Sequence, residues 1–297
     1  MNALAIYQAP QQAAYDFIPV QAENDRQAIN LWLHGKASKT ITEYKRDVAA
    51  FLLYVDKPLR FITLGDVQVY LDSLTRFKPR TQARKLAAVK SLLSFAQKIG
   101  YLRLNVGAAV KAPKCKDDLA QRILSEQEVM TMLALEPNSR NKALLTFLYA
   151  SGARAAEVAG LSWKDFAETS EGQAVVTLFG KGSKTRYVVI PAGVWQSVQA
   201  LRKPEDGNED PVFRSRKRGF LSTVQIWRIV RAAADRAGLG KPVSPHWLRH
   251  CCASHALERG CNIAVVSATL GHSSLAVTSV YVHVKPKDSA GLYLALQ

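Results

Sequence analysis

Cysteine is scarce. Four occur in 297 residues, at positions 115, 251, 252 and 261. Two are adjacent and no CxxC pair exists, so neither a disulfide framework nor a structural zinc site is expected. Such cysteine usage fits a reducing, cytoplasmic setting. Acidic residues are in deficit as well, 24 Asp+Glu against 40 Lys+Arg, for a formal charge of +16. A chain this basic is not indifferent to polyanions. A lipid-facing helix is missing too. The longest uncharged stretch, Cys261 to Val284, is interrupted by Asn262, Gly271, His272, His283 and several Ser and Thr. The first residues, MNALAIYQAPQQ, lack the basic start of a signal peptide. No internal repeat or low-complexity segment appears. With 48% apolar and 22% charged residues, a disordered or collagenous chain is excluded. The length fits two domains better than one.

The charge is spread along the chain. Residues 1–21 hold one Asp and no Lys or Arg. Residues 22–111 hold 16 basic and 7 acidic residues, and residues 112–297 hold 24 and 16. Both main segments are therefore basic, by +9 and +8, and a single basic tail is ruled out. The organisation expected is a flexible tail over 1–21, a helical domain over 22–111, a Pro-containing charged linker over 112–121 and a second domain over 122–297. In the first domain helices are expected over 25–33, from a Thr40/Glu43 capping box to about Val55, over 64–74, and from Arg80 to Ile99 with Gly100 as stop. Lys39, Lys45 and Arg46 on one helix, and Arg80, Arg84, Lys85 and Lys90 on another, are candidates for phosphate contacts. Positions 80, 84 and 90 would line one wet face. The plain alternative is a solvated helix surface.

The second domain opens on a Ser125/Glu128 capping box, with helices at about 126–135 and 140–150. The period then changes. Residues 174–179 and 185–190 are β-branched and aromatic, and Gly180-Lys-Gly-Ser-Lys184 joins them in a hairpin with a basic turn. This turn is no phosphate-binding P-loop, because a strand follows it and the Gly-Lys-Ser/Thr order is wrong. Further helices are expected at about 194–202, 221–238, 245–259, 263–270 and 275–284. Arg214, Arg216, Lys217 and Arg218 fall in a loop before a helix, suited to phosphates.

Four local clusters carry chemistry. Arg154 follows a Gly turn and has Glu157 three residues on, so the carboxylate can hold the guanidinium fork. Lys181 and Lys184 sit on the hairpin turn. His246 and Arg249 share a helix face. His272 follows Gly271, and Tyr281 comes nine residues later. Taken singly, each has a bland reading: a helix-start ion pair, a solvated turn, a core tyrosine.

In order, Arg-x-x-Glu, hairpin Lys, His-x-x-Arg, Gly-His and Tyr resemble the tyrosine site-specific recombinases, the phage integrase family, and most closely its Xer-like branch. The resemblance spans about residues 22–297. It implies a mainly α fold: a helical, SAM-like core-binding domain, then a mostly helical catalytic domain with a small antiparallel sheet. It implies that Arg154 and Arg249 grip the scissile phosphate and that Lys181 is the general acid for the departing 5′-oxygen. His246 would be the proton-handling residue near the nucleophile. His272 would bond the phosphate, Tyr281 would be the nucleophile and Glu157 the support. No metal or other cofactor is implied. Such an enzyme cuts and rejoins duplex DNA through a 3′-phosphotyrosine and strand exchange. The two domains would hold the duplex from opposite sides, and the segment 289–296 would dock on a neighbouring protomer in a tetramer. A partner recombinase or accessory protein is left open, as is the target site. No membrane is involved, and the expected location is the cytoplasm, on nucleoid DNA. The rival readings are topoisomerase-like relaxation and sequence-specific DNA binding without catalysis.

Overall fold

The computed structural model describes residues 21–114, 119–180, 185–272 and 274–281, without the Lys39 side chain. Apart from Gln21, the expected N-terminal tail lies outside them, as do Lys181, Lys184 and the segment 289–296. The chain divides into two compact units, Met1–Lys116 and Asp117–Gln297.

The first unit is built from four α-helices: α1 (Asp25–Leu33), α2 (Ser38–Val55), α3 (Leu64–Ser73) and α4 (Pro79–Lys98). Apolar side chains at helical spacing on α4, Leu86, Val89 and Leu93, are fully buried against Phe51 of α2 and Val67 of α3. Burying each such side chain contributes about 1.5–3 kcal/mol. The start of α2 corrects the sequence reading. Thr40 and Glu43 make no capping box; the helix begins at Ser38 behind Ala37, which offers no side-chain cap. Thr40 is already the third residue of the helix, where its backbone is helical and it no longer stands at the cap position; further along, Tyr44 stacks on the buried Trp32 at 5.2 Å. The capping box that does form is Thr63 with Asp66, at the start of α3. Helix α4 stops where expected, with Gly100 at φ +75°.

The second unit opens with α5 (Glu126–Ala134), capped by Ser125 and Glu128, and α6 (Ser139–Ser151). After the short α7 (Ala155–Val158) come β1 (Phe166–Glu168), β2 (Ala174–Phe179) and β3 (Thr185–Ile190). They form an antiparallel sheet in the order β1-β2-β3, with Phe179 opposite Thr185 and Ala174 opposite Ile190. Strand β1 is an addition to the expected hairpin. Its three residues are too few to show alternation. Ala174, Val176 and Leu178 of β2 face the core. Helices α8 (Ala192–Gln199), α9 (Thr223–Arg236), α10 (Pro245–Glu258), α11 (Ile263–Leu270) and α12 (Leu275–Ser279) complete the described residues. One apolar core, centred on Phe147, Leu144, Leu148 and Leu248, runs beneath them. Among the described residues no helix is long and apolar enough to cross a membrane.

Candidate active site

Gly152 sets the geometry. It closes α6 in the left-handed conformation, φ +58°, and a Cβ there would come within 2.6 Å of Leu270 Cδ2. Only glycine allows this turn beside α11. The turn delivers Arg154 to the cap position of α7, one turn ahead of Glu157. Glu157 accepts from the Arg154 backbone N–H at 2.7 Å and from Arg154 Nη1 at 2.8 Å.

A third partner, Arg186 of β3, was not among the sequence candidates. Its Nη1 and Nη2 donate to the two oxygens of Glu157 at 2.8 and 2.7 Å, and its Nε donates to the Thr269 carbonyl at 2.8 Å. Burial pushes the Glu157 pKa up, but the hydrogen bonds from Arg186 and Arg154 outweigh it and hold it at about 2. The buried carboxylate is thus a charged anchor between two arginines.

Arg249 lies on α10 and is 4% exposed. Its Nη1 donates to the Gly152 carbonyl and its Nη2 to the Leu270 carbonyl, both at 2.6 Å. It therefore ties the Gly152 turn to the end of α11. A guanidinium has five N–H donors, so these two bonds leave others for an anion. Burial, then the charges of Arg154 and Arg186, lower its pKa to about 10, which leaves it protonated at neutral pH.

His246 is exposed, one turn before Arg249 in the first turn of α10, and its side chain makes no hydrogen bond among the described residues. The surrounding protein, then the charges of Arg249, Arg154 and Arg122, depress its pKa. His272 follows Gly271, which has φ +65° and whose Cβ would strike Arg186 Cδ at 2.8 Å. His272 Nδ1 pairs with Thr278 Oγ1 at 2.8 Å, and burial followed by Arg249 and Arg154 lowers its pKa to about 4. Tyr281, just beyond α12, is 6% exposed. Burial raises its pKa above the usual 10, against the opposing pull of Arg249. Its hydroxyl does not meet His246. It meets His250 Nδ1, at 2.7 Å. His250 lies one turn beyond His246 on α10, a periodicity visible in the sequence but not used there for function.

Arg154, Glu157, Arg249, His246, His272 and Tyr281 therefore come together, joined by Arg186 and His250. Cys251 and His255, on the same helix, are engaged elsewhere. Cys251 is buried and its Sγ accepts from the Leu124 backbone N–H at 3.2 Å. His255 is held by Tyr149 Oη and the Leu124 carbonyl at 2.8 and 2.9 Å. Among the described residues no cluster of His, Cys, Asp or Glu could hold a metal ion.

The basic candidates divide into exposed and engaged groups. Lys45, Arg46, Arg80, Arg216, Lys217 and Arg218 are exposed. The wet face drawn through 80, 84 and 90 needs correction. Arg84 is paired with the fully buried Asp47, with Nη2 at 3.2 Å, and Lys85 reaches the same carboxylate at 3.4 Å. Lys90 donates to the Val110 carbonyl at 2.6 Å. Arg214 likewise is committed, to Asp206 at 2.6 Å and Asp210 at 3.5 Å.

Residues 122–288 match the phage integrase family, and residues 29–100 match the phage integrase N-terminal SAM-like domain. A tyrosine recombinase XerD of Bifidobacterium longum is 31% identical over 88% of this chain and 91% of its own length. A tyrosine recombinase XerD of Corynebacterium glutamicum is 33% identical over 84% and 89%. Among solved structures, a lambda integrase fragment bound to a COC′ core site superposes with a TM-score of 0.72 at 19% identity, covering 89% of this chain and 95% of that one. XerH bound to its difH substrate gives 0.68 at 20% identity, covering 88% and 81%. The last two show the shared fold. The chain belongs to the phage integrase family and is a Xer-like tyrosine recombinase.

Proposed function

We propose that this enzyme recombines specific duplex DNA sites by nucleophilic attack of Tyr281 on a scissile phosphodiester, forming a 3′-phosphotyrosine that a second strand resolves. One observation carries the reading: a buried tyrosine lies in a cluster that also holds two arginines, Arg154 and Arg249, fixed by carbonyls and by the Glu157 carboxylate. Preset guanidiniums stabilise the charge that grows on the phosphoryl oxygens. The tyrosine conserves bond energy in the covalent intermediate. His272 completes the phosphate contacts, His246 is the proton-handling residue that the family pattern puts near the nucleophile, and Lys181 protonates the 5′-oxygen. Charges of +9 and +8 on residues 22–111 and 112–297 suit contacts to the backbone from both, with Lys39, Lys45, Arg46, Arg80, Lys184, Arg216, Lys217 and Arg218 as the candidates. The residues after Tyr281 dock on a neighbouring protomer in a tetramer on two sites, acting on nucleoid DNA in the cytoplasm.

A nicked suicide duplex labelled on its 3′ strand tests this. The wild-type protein forms a covalent adduct stable to denaturation. Tyr281→Phe binds the same DNA and forms none. An adduct in Tyr281→Phe would sink the assignment.

A further inference from the structure

The family pattern assigns no part to His250, yet it is the group in hydrogen-bond contact with the reacting oxygen. We propose that His250 Nδ1 takes the phenolic proton of Tyr281 as the tyrosine attacks and returns it as the strand is rejoined. The proposal rests on the strand-transfer reading above.

The geometry is specific. The heavy-atom distance is 2.7 Å and the two rings are tilted at 44° with centroids 5.7 Å apart. Tyr281 is buried, so this partner stands in place of water. His250 is fixed by α10, whose preceding residue, Arg249, is itself pinned to two carbonyls. A phenol has one proton to donate, so Nδ1 accepts it only when the ring proton is on Nε2.

That state is the one the surroundings favour. His246 and Arg249 on α10, Arg122 before α5 and His272 after α11 all oppose a positive charge on His250, and burial opposes it most. The imidazole is thereby neutral and free to accept. A bound phosphodiester brings negative charge into the same cluster, which restores basicity to His250 at the moment it is needed. His246, to which the family pattern gives the proton near the nucleophile, does not meet the Tyr281 hydroxyl, so that role passes one turn along α10 to His250.

The step balances. The Tyr281 Oη–phosphorus bond forms and the phosphorus–O5′ bond breaks. The phenolic proton moves to His250 Nδ1, and the separate acid, Lys181, protonates the leaving O5′. In rejoining, a 5′-hydroxyl attacks phosphorus, gives up its proton to that lysine, and Tyr281 leaves with the proton from His250.

The test is single-turnover cleavage of the suicide duplex by the full-length wild type, His250→Ala and His250→Gln, with DNA affinity and thermal melting measured in parallel. His250→Ala is expected to cleave about 100-fold more slowly at unchanged affinity, the scale of a lost proton acceptor. Added imidazole should restore part of the rate, in proportion to its unprotonated form. His250→Gln accepts a hydrogen bond but not a proton, and it should stay slow. Cleavage by His250→Ala at or above the wild-type rate would overturn the proposal, since the contact would then only pack or restrain the tyrosine. Full activity in His250→Gln would overturn it too, reducing His250 to a positioning residue. If His250→Ala melts early, the Gln variant alone decides. A wild type that forms no adduct defeats the strand-transfer reading itself; normal cleavage in the variants defeats this inference only.

Discussion

Replacing Glu157 with Gln removes one negative charge from a place where two arginines depend on it. The size of the effect follows from the pKa of the carboxyl, moved from 4.5 to about 2 in the folded chain. At about 1.4 kcal/mol per decade, the charged form is favoured by about 3 kcal/mol. Glu157 is 7% exposed and the Arg186 side chain 10%, so solvent screens this little. A Gln amide would turn two donors toward one of the guanidiniums, which adds to the loss. Unfolding of the second unit should therefore require about 3 kcal/mol less, a fall in Tm of about 6–12 °C for a unit of this size. The pH dependence carries a definite sign. Glu157 is held below its unfolded pKa, so its contribution is complete above about pH 4.5 and fades as pH falls through about 2. Urea melts of wild type and Glu157→Gln from pH 7 to pH 2.5 should show a gap that is constant near neutrality and narrows in acid. A gap below about 1 kcal/mol at pH 7, or one that ignores pH, would refute this account of the anchor.

Gly152→Ala should cost about 2 kcal/mol from its left-handed backbone and its 2.6 Å approach to Leu270, and lower cleavage by more than about 10-fold, because the Gly152 carbonyl holds Arg249. The control is Gly172→Ala, also at positive φ but with nothing within 4 Å, which should lose stability alone. Asp47→Ala strips the shared partner from Arg84 and Lys85. With the Arg84 side chain 37% exposed, water takes over part of that role, and the first unit should lose about 1–2 kcal/mol in a urea melt. A change below about 0.5 kcal/mol would mean the buried carboxylate is not sustained by that pair.

What the sequence reveals depends on how far apart the interacting parts lie. The hairpin over 174–179 and 185–190 is legible to the residue, because β-branched alternation and a Gly-Lys-Gly turn are local signals. The Ser125 cap is legible for the same reason. The false Thr40 cap shows the limit of such signals: S/T-x-x-E arises by chance, and here the chain is already helical from Ser38. Arg186 is unreadable in advance. An arginine on a strand resembles any solvated one, and its partner is 29 residues away. Arg84 misleads in the opposite sense, since the Asp47 that claims it lies on another helix. His250 had a usable signal, one helical turn from His246, yet only the fold brings Tyr281 to it.

The two carbonyls that hold Arg249 come from Gly152 and Leu270, on either side of it in the chain. The site is therefore closed by distant segments, the slowest kind of contact to form in folding. During synthesis Arg249 emerges with one of its two acceptors, and the second follows only with Leu270. Tyr281 comes later still. A half-made chain therefore holds the basic residues of its first unit before Arg249, Leu270 and Tyr281 can be brought together. The order of the residues along the chain thus makes the cluster around Arg249 and Tyr281 the last part of the described fold that can close.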